Sequence, residues 1–280
     1  MAIKDLIVIV DDSLGSASRV ETALVMARKY NAHLTGVYIQ NIELLSPERM
    51  RDLPSSHKKL APDHVNKSEK EASTQAEQNF QEQTAAAEWG SKSDWRLIHG
   101  NPNDIVSTIS RYADLVLVGQ AGPASGNTEI VDPGVVVSTS GRPMLVVPQE
   151  FKPKGFSGEH VVLGWNGSRE AASAIADSIS IIETKTKVSI LTFQSPADLP
   201  ECFNFDIGVY LSRHGVQAEY VDLKSRSGDH GMDIVNFAVE HKADLIVMGA
   251  YTSSRLTQSI FGGATRTVLA NMKTPVFLSH

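Results

Sequence analysis

The feature that most constrains this chain is that it says the same thing twice. The segment "DIVSTISRYADLVLVGQAG" at 104–122 returns as "DIVNFAVEHKADLIVMGAYT" at 233–252, and "GRPMLVVP" at 141–148 is answered by "MKTPVFLSH" at 272–280. The beginnings match as well: "DLIVIVDDS" and "HVVLGWNGS" are each a β-branched run ending in a polar turn. A serine in each turn, Ser13 or Ser168, stands where it can cap the helix that follows. At 280 residues the chain has room for two such units of about 100 to 150 residues each. Between them "PQEFKPKGFSGE", 148–159, is rich in proline and glycine and reads as a linker. The boundary is placed near Phe151, with one domain over 1–150 and a second over 151–280.

Each unit reads as α/β. The runs "LIVIV" and "VVL" are apolar without alternation, the pattern of strands covered on both faces, as in a parallel sheet. Val20, Ala23, Leu24 and Ala27 fall at helical spacing, as do Ala171, Ala172, Ile175, Ala176 and Ile179, so each helix can lay one stripe on a sheet. The halves part company after Ile39, where the first carries a polar insert over 41–80; its helical end turns Ala72, Ala76 and Phe80 inward, and a lid over a ligand is a second reading of it. Trp89 and Trp95 flank the turn at Gly90 and read as structural.

In parallel α/β sheets ligands sit outside the carboxyl ends of the strands, so the loops that count are those at Asp11–Ser13 and Gly119 in the first half, and at Asn166–Ser168 and Gly249 in the second. Gly262 and Gly263 open the last helix, whose free N–H groups form an anion site. Arg255 and Arg266 can add charge, and Ser259 and Thr265 can donate hydroxyl hydrogen bonds to phosphate. A plain strand-to-helix turn explains the same glycines, and neither G-x-x-x-x-G-K-[ST] nor G-x-G-x-x-G occurs. In the first half Asp132-Pro133 stands where the second glycine pair would be; the aspartate would cap its own helix and put negative charge in the phosphate position. Trp165 is either a stacking platform for a base or simple packing.

Several functions are set aside on composition and spacing. A net charge of −6 and a pI near 5.8 give no general attraction to nucleic acid or anionic lipid. No run approaches the roughly 20 apolar residues of a membrane span. The nine histidines, His57 and His64 among them, show no metal-ligand spacing, so no metal is expected on protein ligands. The one cysteine, Cys202, fits a reducing compartment and a structural role, and cytoplasm is the expected location. No nucleophile elbow is present, and near His230 either Asp229 or Asp233 reads as a helix cap rather than a catalytic group.

The two halves, their "VDDS" and "WNGS" turns, the "ADLxxxG" strands and the tail of the form G-x2-G-x9-G-[ST] resemble the universal stress protein family over essentially the whole chain. The resemblance implies two Rossmann-like domains, each a five-stranded parallel sheet with helices on both faces. In one branch of that family it also implies ATP, or another adenine nucleotide, held by the glycine pattern. Carried onto this chain, the nucleotide-binding residues are Asn166, Thr192 within the stretch 191–193, Met248, Gly249, Thr252, Gly262, Gly263, Ala264 and Thr265. Three of them depart from the pattern: Thr252 replaces glycine, Gly263 replaces Ser or Thr, and Asn166 replaces Asp. A β-branched residue forced into positive φ would cost about 1–3 kcal/mol, or about one to two orders of magnitude in affinity. The expectation is a noncatalytic adenine-nucleotide-binding stress protein with its site in the second half. The alternatives are an interaction scaffold with both sites vestigial, or a very slow ATPase. The last strand, "PVFLS", implies either a homodimer or an internal pseudo-dimer; protein partners are not indicated.

Overall fold

The structure is a computed structural model that describes residues 3–40, 62–121, 131–153, 159–184, 187–193, 206–223, 228–250 and 263–280, with the side chains of 62–69 excluded. Thr252, Gly262, Arg255, Ser259, Cys202, His57, Gly122, the insert over 41–61 and the middle of the linker lie outside the described residues.

The first half contributes β1 (Asp5–Val10), α1 (Ser16–Tyr30), β2 (His33–Gln40), α2 (Pro62–Ala86), β3 (Ser93–His99), α3 (Pro102–Ile109), β4 (Leu115–Gly119), α4 (Pro133–Ser140) and β5 (Met144–Val147). The second contributes β6 (His160–Gly164), α5 (Arg169–Ile182), β7 (Lys187–Thr192), α6 (Ile207–Arg213), β8 (Ala218–Asp222), α7 (His230–Glu240), β9 (Leu245–Gly249), α8 (Gly263–Asn271) and β10 (Val276–Ser279). All ten strands form one sheet in the order β3-β2-β1-β4-β5-β10-β9-β6-β7-β8. Within each half every pairing is parallel, and the halves meet where β10 pairs antiparallel with β5, Phe277 opposite Leu145. The expected five-stranded parallel sheets are therefore present, fused edge to edge.

Each half follows its repeat for a local reason. The aspartate of "ADL" accepts backbone N–H groups at the start of the half's first strand: Asp114 Oδ2 from Lys4 (2.7 Å) and Asp5 (3.0 Å), and Asp244 Oδ2 from Glu159 (2.6 Å) and His160 (3.0 Å). Each carboxylate thus satisfies two backbone donors where the sheet begins. The central strands are buried on both faces. Leu6, Val8, Leu145 and Phe277 belong to the core under α1, α2 and α5, while Ile7, Ile9, Val146 and Leu278 belong to the core on the opposite face. Each core runs through both halves.

Two details depart from the sequence reading. Ser168 does cap α5, accepting from Ala171 N (3.1 Å), but Ser13 caps nothing; α1 begins two residues further on, with Gly15 at its N-cap, and the Ser13 hydroxyl goes to Asp11 instead. In α5 the buried stripe is Ala171, Ala174, Ile175, Ser178, Ile179 and Ile182, while Ala172 and Ala176 face outward. Alanine is small enough to occupy either face, so it marked the stripe poorly. Trp89 donates to Ala32 O (3.1 Å) and Trp95 packs on Phe80 at 5.5 Å between ring centroids, both structural as expected. Among the described residues no helix is long and apolar enough to cross a membrane.

Beyond the strands, side chains tie the halves together. Lys29 Nζ donates to Thr184 Oγ1 (2.7 Å), Tyr30 Oη to Ser180 O (3.2 Å), and Gln120 Nε2 to Leu269 O (2.9 Å). Burial and the nearby Glu183 push Tyr30 up to about 12, which keeps it a donor.

A polar chain, buried at His160 and Ser189 and exposed at Glu219, crosses three strands at the opposite end of the second half from its carboxyl-end loops. His160 Nε2 lies 2.8 Å from Ser189 Oγ, Ser189 Oγ lies 3.0 Å from Glu219 Oε1, and His160 Nδ1 faces His241 O at 3.2 Å. Desolvation is the largest effect on His160 and holds it below its ordinary 6.5, with Lys187 and His241 acting the same way against the His241 carbonyl and Glu219. The unfolded chain therefore takes up this proton first, and stability present above that pH is lost as pH falls through it. Thermal melts between about pH 7.5 and 5.5 should show a falling Tm whose slope is shallower in His160→Gln; identical slopes would contradict this. At the join, Phe277→Ala should cost about 3–5 kcal/mol in urea unfolding, whereas Tyr112→Ala, at an 81% exposed residue, should stay within about 0.5 kcal/mol.

Candidate functional site

Strand order reverses between β1 and β4 in the first half and between β6 and β9 in the second, and a crevice opens at the carboxyl ends there. In the second half it is walled by Trp165, Asn166, Phe193, His230, Met248 and Ala264, drawn from the ends of β6, β7 and β9 and the starts of α7 and α8. The structure thus brings Asn166, Met248, Gly249 and Ala264 to one cleft, with Thr192 at its border next to Phe193.

The individual residues carry different messages. Asn166 Oδ1 accepts from Ser168 N (3.1 Å), an Asx turn that spends the oxygen locally and leaves the exposed amide NH2 as the group to meet a ligand. A Cβ on Gly249 would stand 2.5 Å from Ala171 N, so this glycine is required by the first turn of α5 lying across the strand end. That is a packing reason, distinct from the ligand approach expected of it. Gly263 is exposed at the start of α8, and a Cβ there would meet nothing within 4 Å. Thr265 is buried with its hydroxyl 3.5 Å from Gly249 O, turned toward the strand end and away from the open helix start. Arg266 is exposed and lines a separate cleft with Asp132 and Val135, between α8 and α4, so it stands apart from the second-half crevice. Along β7 the carbonyls of Leu191 and Thr192 already accept from Trp165 N (2.9 Å) and Leu223 N (2.8 Å), so contacts there fall to side chains and to Phe193.

The start of α7 is fixed beside the cleft by its cap. Asp229 caps α7, accepting from Gly231 N (2.8 Å) and Met232 N (3.3 Å), and its second oxygen accepts from Thr267 Oγ1 (2.8 Å) on α8. This locks the two helix starts side by side. His230, the next residue, lays its ring on Phe193 with centroids 4.0 Å apart and planes at 12°.

The first half has the same topology and different contents. Arg19, 2% exposed, reaches from α1 to the crevice, pairs with Asp11 Oδ2 at 2.7 Å and donates to Ile9 O at 2.6 Å. A Cβ on Gly119 would stand 2.2 Å from Arg19 Nη1, so the space beside the first-half glycine is filled by a guanidinium. Burial pushes the Asp11 carboxyl up, but Arg19 and the hydrogen bonds from Ser13 outweigh it and hold the carboxyl below its ordinary value. Asp132 caps α4 through Gly134 N (2.8 Å) and Val135 N (3.3 Å), with Pro133 at the first helical position, so the donors of that helix start are used internally. Sequence reading missed Arg19, although its place four residues before Ala23, on the buried stripe of α1, was the available signal. Among the described residues no group of three or more His, Cys, Asp or Glu is placed for a metal.

Replacing Arg19 by Met leaves a carboxylate whose side chain is 28% exposed without its cation. The loss should be about 2–3 kcal/mol in denaturant unfolding near neutral pH, less than the full value for a completely buried pair. Asp11 is stabilised in its charged form, so that contribution is present above its unfolded value of 3.8 and is lost as pH falls through its lower folded value. The deficit of Arg19→Met should therefore shrink in acid; a deficit independent of pH would contradict the pairing.

Comparison with known proteins bears on the whole chain. The model of the universal stress protein family matches residues 159–280. A universal stress protein from Archaeoglobus fulgidus has a TM-score of 0.68 at 17% identity, the match covering 98% of this chain and 95% of that one. A putative universal stress protein from Pseudomonas aeruginosa UCBPP-PA14 gives 0.59 at 14% identity over 99% and 93%. A functionally unknown protein from Pseudomonas aeruginosa PAO1 gives 0.56 at 14% over 99% and 92%. At these identities the likeness is one of fold, and a search of curated proteins finds no match. The family match falls on the second half, 159–280, and the first half repeats the same five-strand order, so the chain is similar in fold to universal stress proteins along its whole length.

Proposed function

We propose that this protein is a cytoplasmic stress-response protein whose second domain, 151–280, binds ATP or another adenine nucleotide, while the first, 1–150, keeps the fold with a degenerate site. The observation that carries this reading is the contrast between two equivalent places. Beside Gly119 the crevice holds the Arg19 guanidinium, whereas the corresponding crevice of the second half is lined by Trp165, Asn166, Phe193 and Met248 and reaches an exposed helix start at Gly263. A helix start offers N–H donors and the positive end of its dipole to phosphate. The Asn166 amide would meet the sugar or base, with Thr192 and Met248 along the strand ends and Ala264, Thr265 and the residues Thr252 and Gly262 completing the phosphate side.

The role is noncatalytic in this reading. Asp229, the carboxylate between the starts of α7 and α8, is committed to three hydrogen bonds within the protein and is not poised to activate water. The β5–β10 pairing acts as an internal pseudo-dimer contact, so that edge needs no second copy.

The scaffold reading draws on Gly249, which packing against α5 explains without a ligand, and on Thr265, whose hydroxyl faces the strand end. Isothermal titration of the full chain with ATP, ADP and AMP separates the two. One nucleotide bound per chain supports the nucleotide-binding reading; no heat with any of the three overturns it. Binding that emerges only in Thr252→Gly would favour the scaffold.

A further inference from the structure

We propose that His230 gates the base end of the second-domain cleft, its imidazole occupying the face of Phe193 on which a purine would stack. The inference rests on the reading of this cleft as an adenine-nucleotide site and adds the residue that sets its affinity. Phe193 directly follows β7, the strand end assigned to the base, and it is half-buried. Its ring is covered by His230 at 4.0 Å and 12°, the spacing and tilt of two stacked aromatic rings. A purine stacked on Phe193 needs the same layer of space. Base and imidazole therefore exclude one another on that face.

The way His230 is held makes it a movable cover. Its neighbours fix the helix without it: Asp229 caps α7 and bonds Thr267, and a Cβ on Gly231 would stand 2.6 Å from Ala264 O, so the helix starts are in close contact there. The His230 side chain is exposed, and among the described residues its ring nitrogens make no hydrogen bond. The stack on Phe193 is what keeps the ring in place. Rotation about its side-chain bonds uncovers Phe193 with the α7 cap intact, and the stack lost sets the size of the effect, about two- to tenfold in affinity.

The test is a double-mutant cycle on the full chain, with His230→Ala, Phe193→Leu and the pair, titrated with AMP and with inorganic triphosphate. His230→Ala should tighten AMP about two- to tenfold, and this gain should vanish when Phe193 is already leucine. Triphosphate, which has no base, should bind wild type and His230→Ala alike. If wild type binds AMP and His230→Ala binds it equally or more weakly, the gate is wrong and the nucleotide site stands. A gain that persists without Phe193, or that extends equally to triphosphate, also overturns it by pointing to general loosening. If neither wild type nor any variant binds an adenine nucleotide, the function proposed above falls, and this inference with it. Melting temperatures of all three variants, with His230→Ala expected within a few degrees of wild type because His230 is exposed, guard against misfolding.

Discussion

Everything in this molecule is arranged by one antiparallel contact, the pairing of β5 with β10. Each half supplies an all-parallel set whose last strand lies at the edge, with unpaired backbone groups along it. Pairing those two edges satisfies both and merges the layers on either side, so that Leu145 and Phe277 share one core and Val146 and Leu278 the other. Because the join is antiparallel, the strands of the two halves run in opposite directions. Their carboxyl-end crevices consequently open at opposite edges of the sheet, and one ligand cannot bridge them.

Separated in this way, the crevices have been free to diverge in charge. In the first, a buried arginine needs a partner and finds Asp11, the β1-end carboxylate, along with the Ile9 carbonyl. That arrangement stabilises the fold and fills the space beside Gly119. In the second, Asn166 takes the place of Asp11 and closes a turn with a neutral oxygen, and the atoms nearest a Cβ at Gly249 belong to Glu170 and Ala171. The same topology thus sets a buried guanidinium beside the strand-end glycine on one side and the first turn of α5 beside it on the other.

The repeat, the parallel sheets and the double-sided cores were legible because they depend on local pattern: apolar runs without alternation, capping residues, and an "ADL" aspartate whose two hydrogen bonds recur in both halves. The continuous ten-stranded sheet was legible only as one of two options, since an edge strand can pair with its twin in the same chain or in another. What escaped were interactions between residues distant in sequence. Arg19 meets Gly119 and Asp11 only once β1 and β4 are adjacent, and His230 covers Phe193 only when α7 lies against the end of β7. The same limit applies to Gly249, whose backbone freedom suggested a ligand until α5 was seen to lie across it. Asp132 was readable because its cap is made within three residues of itself.

The central claim is that the two crevices, alike in topology, differ in function. Hydrogen–deuterium exchange of the full chain with and without saturating ATP addresses it directly, since both crevices are read in one experiment. The account predicts added protection over 164–168, 248–250 and 263–266, with none over 119–121 and 132–136. Equal protection at both ends of the sheet, or protection confined to the first, would contradict it.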